Sequence, residues 1–171
     1  MRSILHSFRA ALRGIVFCIN NERNMRIHTV MVVYVLLFLR FFELTRGETA
    51  LVFAAFGLVI GAEMLNTAME GLTDKTSPEF SQTARSVKDV AAGAVLVCAV
   101  FSVCVAVCLF WQPAAFRRIF DHYREAPLHL AGLAALTVAL ALYVVAGPPR
   151  IVRRLTRKAP QDSAKKEKEN K

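Results

Sequence analysis

Glu63, Asn66, Glu70 and Asp74 stand at i, i+3, i+7 and i+11, a spacing that brings all four to one face of an α-helix. They follow an uncharged run from Thr49 to Ala62 that reads as a membrane-spanning helix. An ionisable side chain inside a span costs a few kcal/mol on insertion scales, so such residues are usually there for function. Carboxylates in a row with an amide between them suit a divalent cation together with a general base. With Thr49 as the start of the span, Glu63 comes about 21 Å along the helix axis at about 1.5 Å per residue. In a hydrocarbon layer of about 30 Å this submerges Glu63 near one face, brings Glu70 to the interface and leaves Asp74 in water. A water-borne reagent at one end of such a stripe can meet a lipid head group at the other.

Two further polar groups accompany the stripe. Asn20-Asn21-Glu22-Arg23-Asn24-Met25-Arg26-Ile27-His28 is a dense polar box directly before an apolar run, and Lys88-Asp89 opens another apolar segment. A Gly-rich phosphate loop is absent from the sequence, as are the glycine loop and catalytic loop of soluble kinases. Any nucleotide must therefore be held by side-chain carboxylates through a metal. The four cysteines, Cys18, Cys98, Cys104 and Cys108, form no CxxC pair and read as small apolar side chains.

The elements that position these groups are legible from hydropathy. The 171-residue chain is 55% hydrophobic with mean hydropathy +0.40, too apolar for an ordinary water-soluble domain. Residues 1–27 are amphipathic, with Ile4, Leu5, Phe8, Leu12, Ile15 and Ile19 at spacings of three and four, as in a helix lying along the bilayer surface. Spans are expected at about Thr29–Leu44, from Thr49 into the carboxylate stripe, at Val90–Phe116 and at Pro127–Gly147. Gly57-x-x-x-Gly61 and Ala91-Ala92-Gly93-Ala94 are small enough for close helix contacts. Pro78 breaks the polar connection after Asp74, and Pro148-Pro149 ends the last span. No cleavable signal is expected at the N-terminus, where charges recur without an apolar core.

The net charge of +9 is concentrated at the C-terminus, where residues 150–171 hold nine Lys/Arg against three Asp/Glu. No aromatics interleave with that run, so a solvated tail near anionic lipid is expected rather than a nucleic-acid site. Basic residues also mark the N-terminal 27 residues (five) and the 74–89 connection (three). With four spans these segments share one side, read as the cytoplasm. Arg117, Arg118 and Arg124 on the opposite side run mildly against this reading.

Taken together, Glu22-Arg23-Asn24-Met25-Arg26-Ile27-His28, Glu63-x-x-Asn66-Thr67-Ala68-x-Glu70-x-x-x-Asp74 and Lys88-Asp89-x-Ala91-Ala92-Gly93-Ala94-Val95-Leu96 closely resemble the prokaryotic diacylglycerol kinase and undecaprenol kinase family, over about Phe8 to Trp111. The resemblance implies an all-α integral-membrane lipid kinase with an amphipathic surface helix and three core spans. It further implies a homotrimer with shared sites, ATP as co-substrate, Mg2+ as cofactor and a lipid alcohol as acceptor. Carried onto this chain, Glu63 is the catalytic base, and Glu22 and Glu70 hold the metal. Glu22, Asn66, Glu70, Asp74, Lys88 and Asp89 form the ATP site, with Lys88 facing the phosphates. Arg26 and His28 belong to the motif without an assigned chemical role.

The chain departs from the family in its C-terminal third. The expected organisation is a kinase core over residues 1–113, an extra transmembrane helix over 114–149 and a basic, disordered tail over 150–171. A competing reading of the intramembrane carboxylates is a small transporter using Glu63 and Glu70 as a proton or cation relay.

Overall fold

The structure, a computed structural model, describes residues 4–76 and 81–148. Six helices in chain order, with no strand among the described residues, make an all-α membrane protein. The basic tail and Pro78, both singled out in the sequence, lie outside the described residues.

Helix α1 (Ile4–Asn21) exposes Ile4, Leu5, Phe8 and Leu12, the apolar stripe of a surface-lying helix. It ends earlier than the amphipathic pattern to residue 27 suggests. The chain breaks at Glu22, whose extended backbone (φ −102°, ψ 123°) forms the N-cap of α2 (Arg23–Phe38). The polar box is thus a corner between two helices, with its second half in the first turns of a span. A 3-10 turn (Leu39–Phe41) closes that span, three residues before the expected end at Leu44.

Helices α3 (Arg46–Thr76) and α4 (Gln82–Phe110) form the principal packed pair. The N-terminus of α3 is capped by a reciprocal pair: the Thr45 amide donates to Glu48 Oε2 at 2.7 Å, and the Glu48 amide donates to Thr45 Oγ1 at 3.3 Å. Ser81 caps α4 by accepting from the Ala84 amide at 3.5 Å. The buried face of α3 carries Val52, Val59, Glu63, Asn66 and Thr73, so the carboxylate stripe continues an apolar packing stripe.

The third span lies earlier in the chain than the expected Val90–Phe116, within a helix that already begins at Gln82. It stops at Phe110, and Pro113 starts a separate helix, α5 (Pro113–Glu125), because a first-turn proline favours a new start. Its Arg118 donates to the Phe41 carbonyl at 3.0 Å and pairs with Glu43, pinning α5 to the turn after α2. Helix α6 (Pro127–Ala146) then returns alongside α2. Its end at Gly147 (φ 73°) needs a residue without Cβ.

Among the described residues four helices, α2 with its turn, α3, α4 and α6, are long and apolar enough to cross a membrane. The small-residue stretches behave differently from the expectation of close contacts. A Cβ added at Gly57, Gly61 or Gly93 would meet nothing within 4 Å, so among the described residues no helix packs closely against these glycines.

Candidate active site

The corner between α1 and α2 sets Glu22 beside the inner half of α3. Burial holds the Glu22 carboxyl above the usual carboxylate range; the negative charge of Glu70 pushes it further, and Arg26 opposes both. Glu22 at the corner and Glu70 on α3 are therefore within electrostatic reach of one another. Glu70 accepts a hydrogen bond from Asn66 Nδ2 at 3.0 Å, one helical turn below it.

Deeper in the bundle, Glu63 is almost wholly buried at 1% exposure, and its Oε2 has no hydrogen-bond partner among the described residues. It lies within electrostatic reach of both Glu22 and Glu70. Asn66 is also buried, and its Oδ1 likewise lacks a partner. Leaving a buried polar atom unpaired costs about 1–3 kcal/mol, more for a charged group. Both residues open onto a cleft of about 290 Å3 bounded by Asn24, Ile27 and His28 of α2 and by Ala92, Val95, Leu96 and Ala99 of α4. Its lining is mixed: Asn24, His28, Glu63 and Asn66 are polar, and Ile27, Ala92, Val95, Leu96 and Ala99 are apolar. Asn66 also lines a wider apolar groove between α3 and α4 that carries Leu65, Met69 and Val90.

Not all the residues singled out in the sequence converge. Asp74 is exposed and pairs with Lys88, tying the water-facing ends of α3 and α4 together. Asp89 turns to solvent beside Arg85 at 3.9 Å and does not join the carboxylates. His28 lines the cleft, whereas Arg26 is buried and spends its guanidinium on backbone carbonyls. Among the described residues no three His, Cys, Asp or Glu side chains gather closely enough to form a complete metal site. Glu22 and Glu70 can supply two carboxylates, a number that suits a cation shared with phosphate oxygens.

The residue-by-residue reading passed over Asn24, which lines the cleft, and Asn20, which is buried with both side-chain polar atoms unpartnered among the described residues. Both lay in view within the polar box. Thr67 donates to the Glu63 carbonyl at 3.0 Å and also approaches Cys18 of α1, whose thiol burial pushes up. No periodicity marks that contact in the sequence, because it joins α1 to α3.

Comparison with known proteins bears on the same segment. A family model described as prokaryotic diacylglycerol kinase matches residues 9–110, from α1 through the end of α4. A Synechocystis sp. protein named diacylglycerol kinase is 37% identical over 112 residues, covering 65% of this chain and 64% of that relative. A Bacillus subtilis protein named undecaprenol kinase is 36% identical over 104 residues, covering 61% of this chain and 85% of that relative. The chain thus spans less than two thirds of the Synechocystis relative. No solved structure matches it.

Proposed function

The chain belongs to the prokaryotic diacylglycerol kinase family, and from that membership we propose that it transfers the terminal phosphoryl group of ATP to the hydroxyl of a membrane lipid alcohol. The acceptor is undecaprenol or diacylglycerol, the molecules in the names of the two relatives. The product is the corresponding lipid phosphate, undecaprenyl phosphate or phosphatidic acid. The observation that carries this reading is Glu63: a carboxyl buried in the bundle with one oxygen unpaired among the described residues, in the lining of a cleft that is part polar and part apolar.

In this reading Glu63 accepts the hydroxyl proton as the lipid oxygen bonds to the γ-phosphorus and the bond to the bridging oxygen breaks, releasing ADP. Phosphoryl transfer asks little covalent chemistry of a protein beyond position and charge. Glu22 and Glu70 would hold Mg2+ on the nucleotide, which would supply neutralisation of the phosphate charge. Asn66 orients Glu70 through its amide and leaves Oδ1 for the substrates. Lys88, held at the water end by Asp74, faces the phosphates, and Asp89 borders the nucleotide from solvent. The basic N-terminal and 74–89 segments set this end in the cytoplasm, where ATP is found. Gly57 and Gly61, against which no described residue packs closely, fit contact with neighbouring copies in a homotrimer.

The test is to supply purified protein with labelled ATP and each lipid alcohol in turn, with and without Mg2+. Label in one lipid, dependent on Mg2+, identifies both class and substrate. Ion flux through liposomes without nucleotide, and no labelled lipid, would instead establish the relay.

A further inference from the structure

Arg26 lies one helical turn after Glu22, the ordinary separation for an ion pair on a helix. Yet its guanidinium is directed elsewhere. Nη1 donates to the carbonyls of Ile19 at 3.2 Å and Asn20 at 3.3 Å, and Nε donates to the carbonyl of Val144 at 3.1 Å. The first two are terminal carbonyls of α1, orphaned by the break at Glu22; the third is a terminal carbonyl of α6. Two helix C-termini, each carrying partial negative charge, thus share one cation. Arg26 is only 8% exposed, so this engagement is also its substitute for water.

Helix α6 lies beyond residue 110, where the family match ends. It is held to α2 by a seam of matching register. Tyr34 OH donates to Thr137 Oγ1 at 2.9 Å, the hydroxyls of Thr29 and Tyr143 lie 3.4 Å apart, and the Arg26–Val144 bond closes the inner end. Were α6 displaced, Nε would lose its acceptor. The nearest alternative anion on its own helix face is the Glu22 carboxylate.

Resting on the reading above, we propose that α6 keeps Arg26 away from Glu22, so that the appended span leaves this carboxylate free for the metal–nucleotide complex. Arg26 is in this view a positioning residue. It acts through Glu22 and touches neither substrate.

The experiment inserts one alanine after Leu140, which turns the Val144 carbonyl by about 100° about the α6 axis while leaving Thr137 in place. Binding of Mn2+ with a non-hydrolysable ATP analogue, followed by electron paramagnetic resonance, is compared in four proteins. These are the native chain, the insertion, Arg26→Gln and the two combined. The insertion is expected to weaken binding about five- to tenfold, and Arg26→Gln in the same chain to restore most of the loss, a coupling of reversed sign. Unchanged binding in the insertion, or a combined variant weaker than either change alone, would overturn the proposal. If the insertion does not fold, the Tyr34→Phe, Thr137→Val, Tyr143→Phe variant, which loosens the seam without shifting register, takes its place under the same criteria. The readout needs no turnover, so absence of lipid phosphorylation in the native chain would count against the kinase reading alone.

Discussion

The two ends of the bundle treat polar groups in opposite ways. At the outer end, Glu43 pairs with Arg118, its amide donates to Gln112 Oε1 at 3.2 Å, and the Thr45–Glu48 cap closes on itself. Aromatic rings fill the space between: Phe42 meets Phe110 edge-on at 4.8 Å, and Tyr123 packs on Phe38 and Phe41. At the inner end, the buried polar atoms without partners among the described residues all occur, on Asn20, Glu63 and Asn66. Glu22 and Glu70 repel there rather than pair. One end satisfies itself and is built for stability. The other holds uncompensated polarity of the kind a substrate relieves.

The comparison breaks most sharply at Glu63. Glu63→Gln keeps the shape of the side chain but removes the proposed base, so lipid phosphorylation is expected to fall at least about 100-fold, the usual contribution of such a group. Nucleotide binding and the melting temperature should hardly move. Wild-type turnover in the purified variant would remove Glu63 from the chemistry.

Next in size are Glu22→Gln and Glu70→Gln. Each takes one carboxylate from the proposed metal pair, and the Mg2+ concentration for half-maximal activity should rise about tenfold or more. Because the two carboxyls repel, the same changes should leave the metal-free protein as stable as before or more so. Calorimetry in chelator checks this, and a large destabilisation would show that the pair is structural.

Lys88→Ala is expected to raise KM for ATP several-fold with a smaller change in kcat, since the proposed charge-assisted contact to the phosphates is lost. A change in kcat alone would argue against a phosphate contact.

The smallest effect belongs to the outer end. Arg118 and Glu43 side chains are 41% and 80% exposed, so Glu43→Gln should cost no more than about 1 kcal/mol. Activity should stay within about twofold. A larger kinetic effect would mean that the outer end communicates with the chemistry, and the contrast between the ends would fail.

Much of this protein was legible in one dimension, for reasons that can be named. Spans are long apolar runs, and a bilayer demands about 20 apolar residues whatever the fold. The face shared by Glu63, Asn66 and Glu70 follows from helical periodicity alone, and the described α3 carries them on or beside its buried stripe. Ends were read less well. The polar box looked like one boundary and proved to be a corner, because a backbone break at Glu22 changes no hydropathy pattern. Helix α5 went unread, since its start at Pro113 falls inside the apolar run expected as Val90–Phe116 and Arg117 and Arg118 interrupt the apolar residues that follow.

What the sequence determined by itself was therefore the membrane class, the four spans, the carboxylate stripe and, through motif resemblance, the family. What only the tertiary structure decided is which of these polar groups find partners. Asp74 and Lys88, fourteen residues apart, close on each other, while Asp89 turns to solvent. Arg26 reaches across 118 positions to the end of α6 and not to the carboxylate one turn behind it. Periodicity assigns a side chain to a face of its own helix. Its partner depends on which helix lies against that face, and this is set by packing between segments distant in the chain.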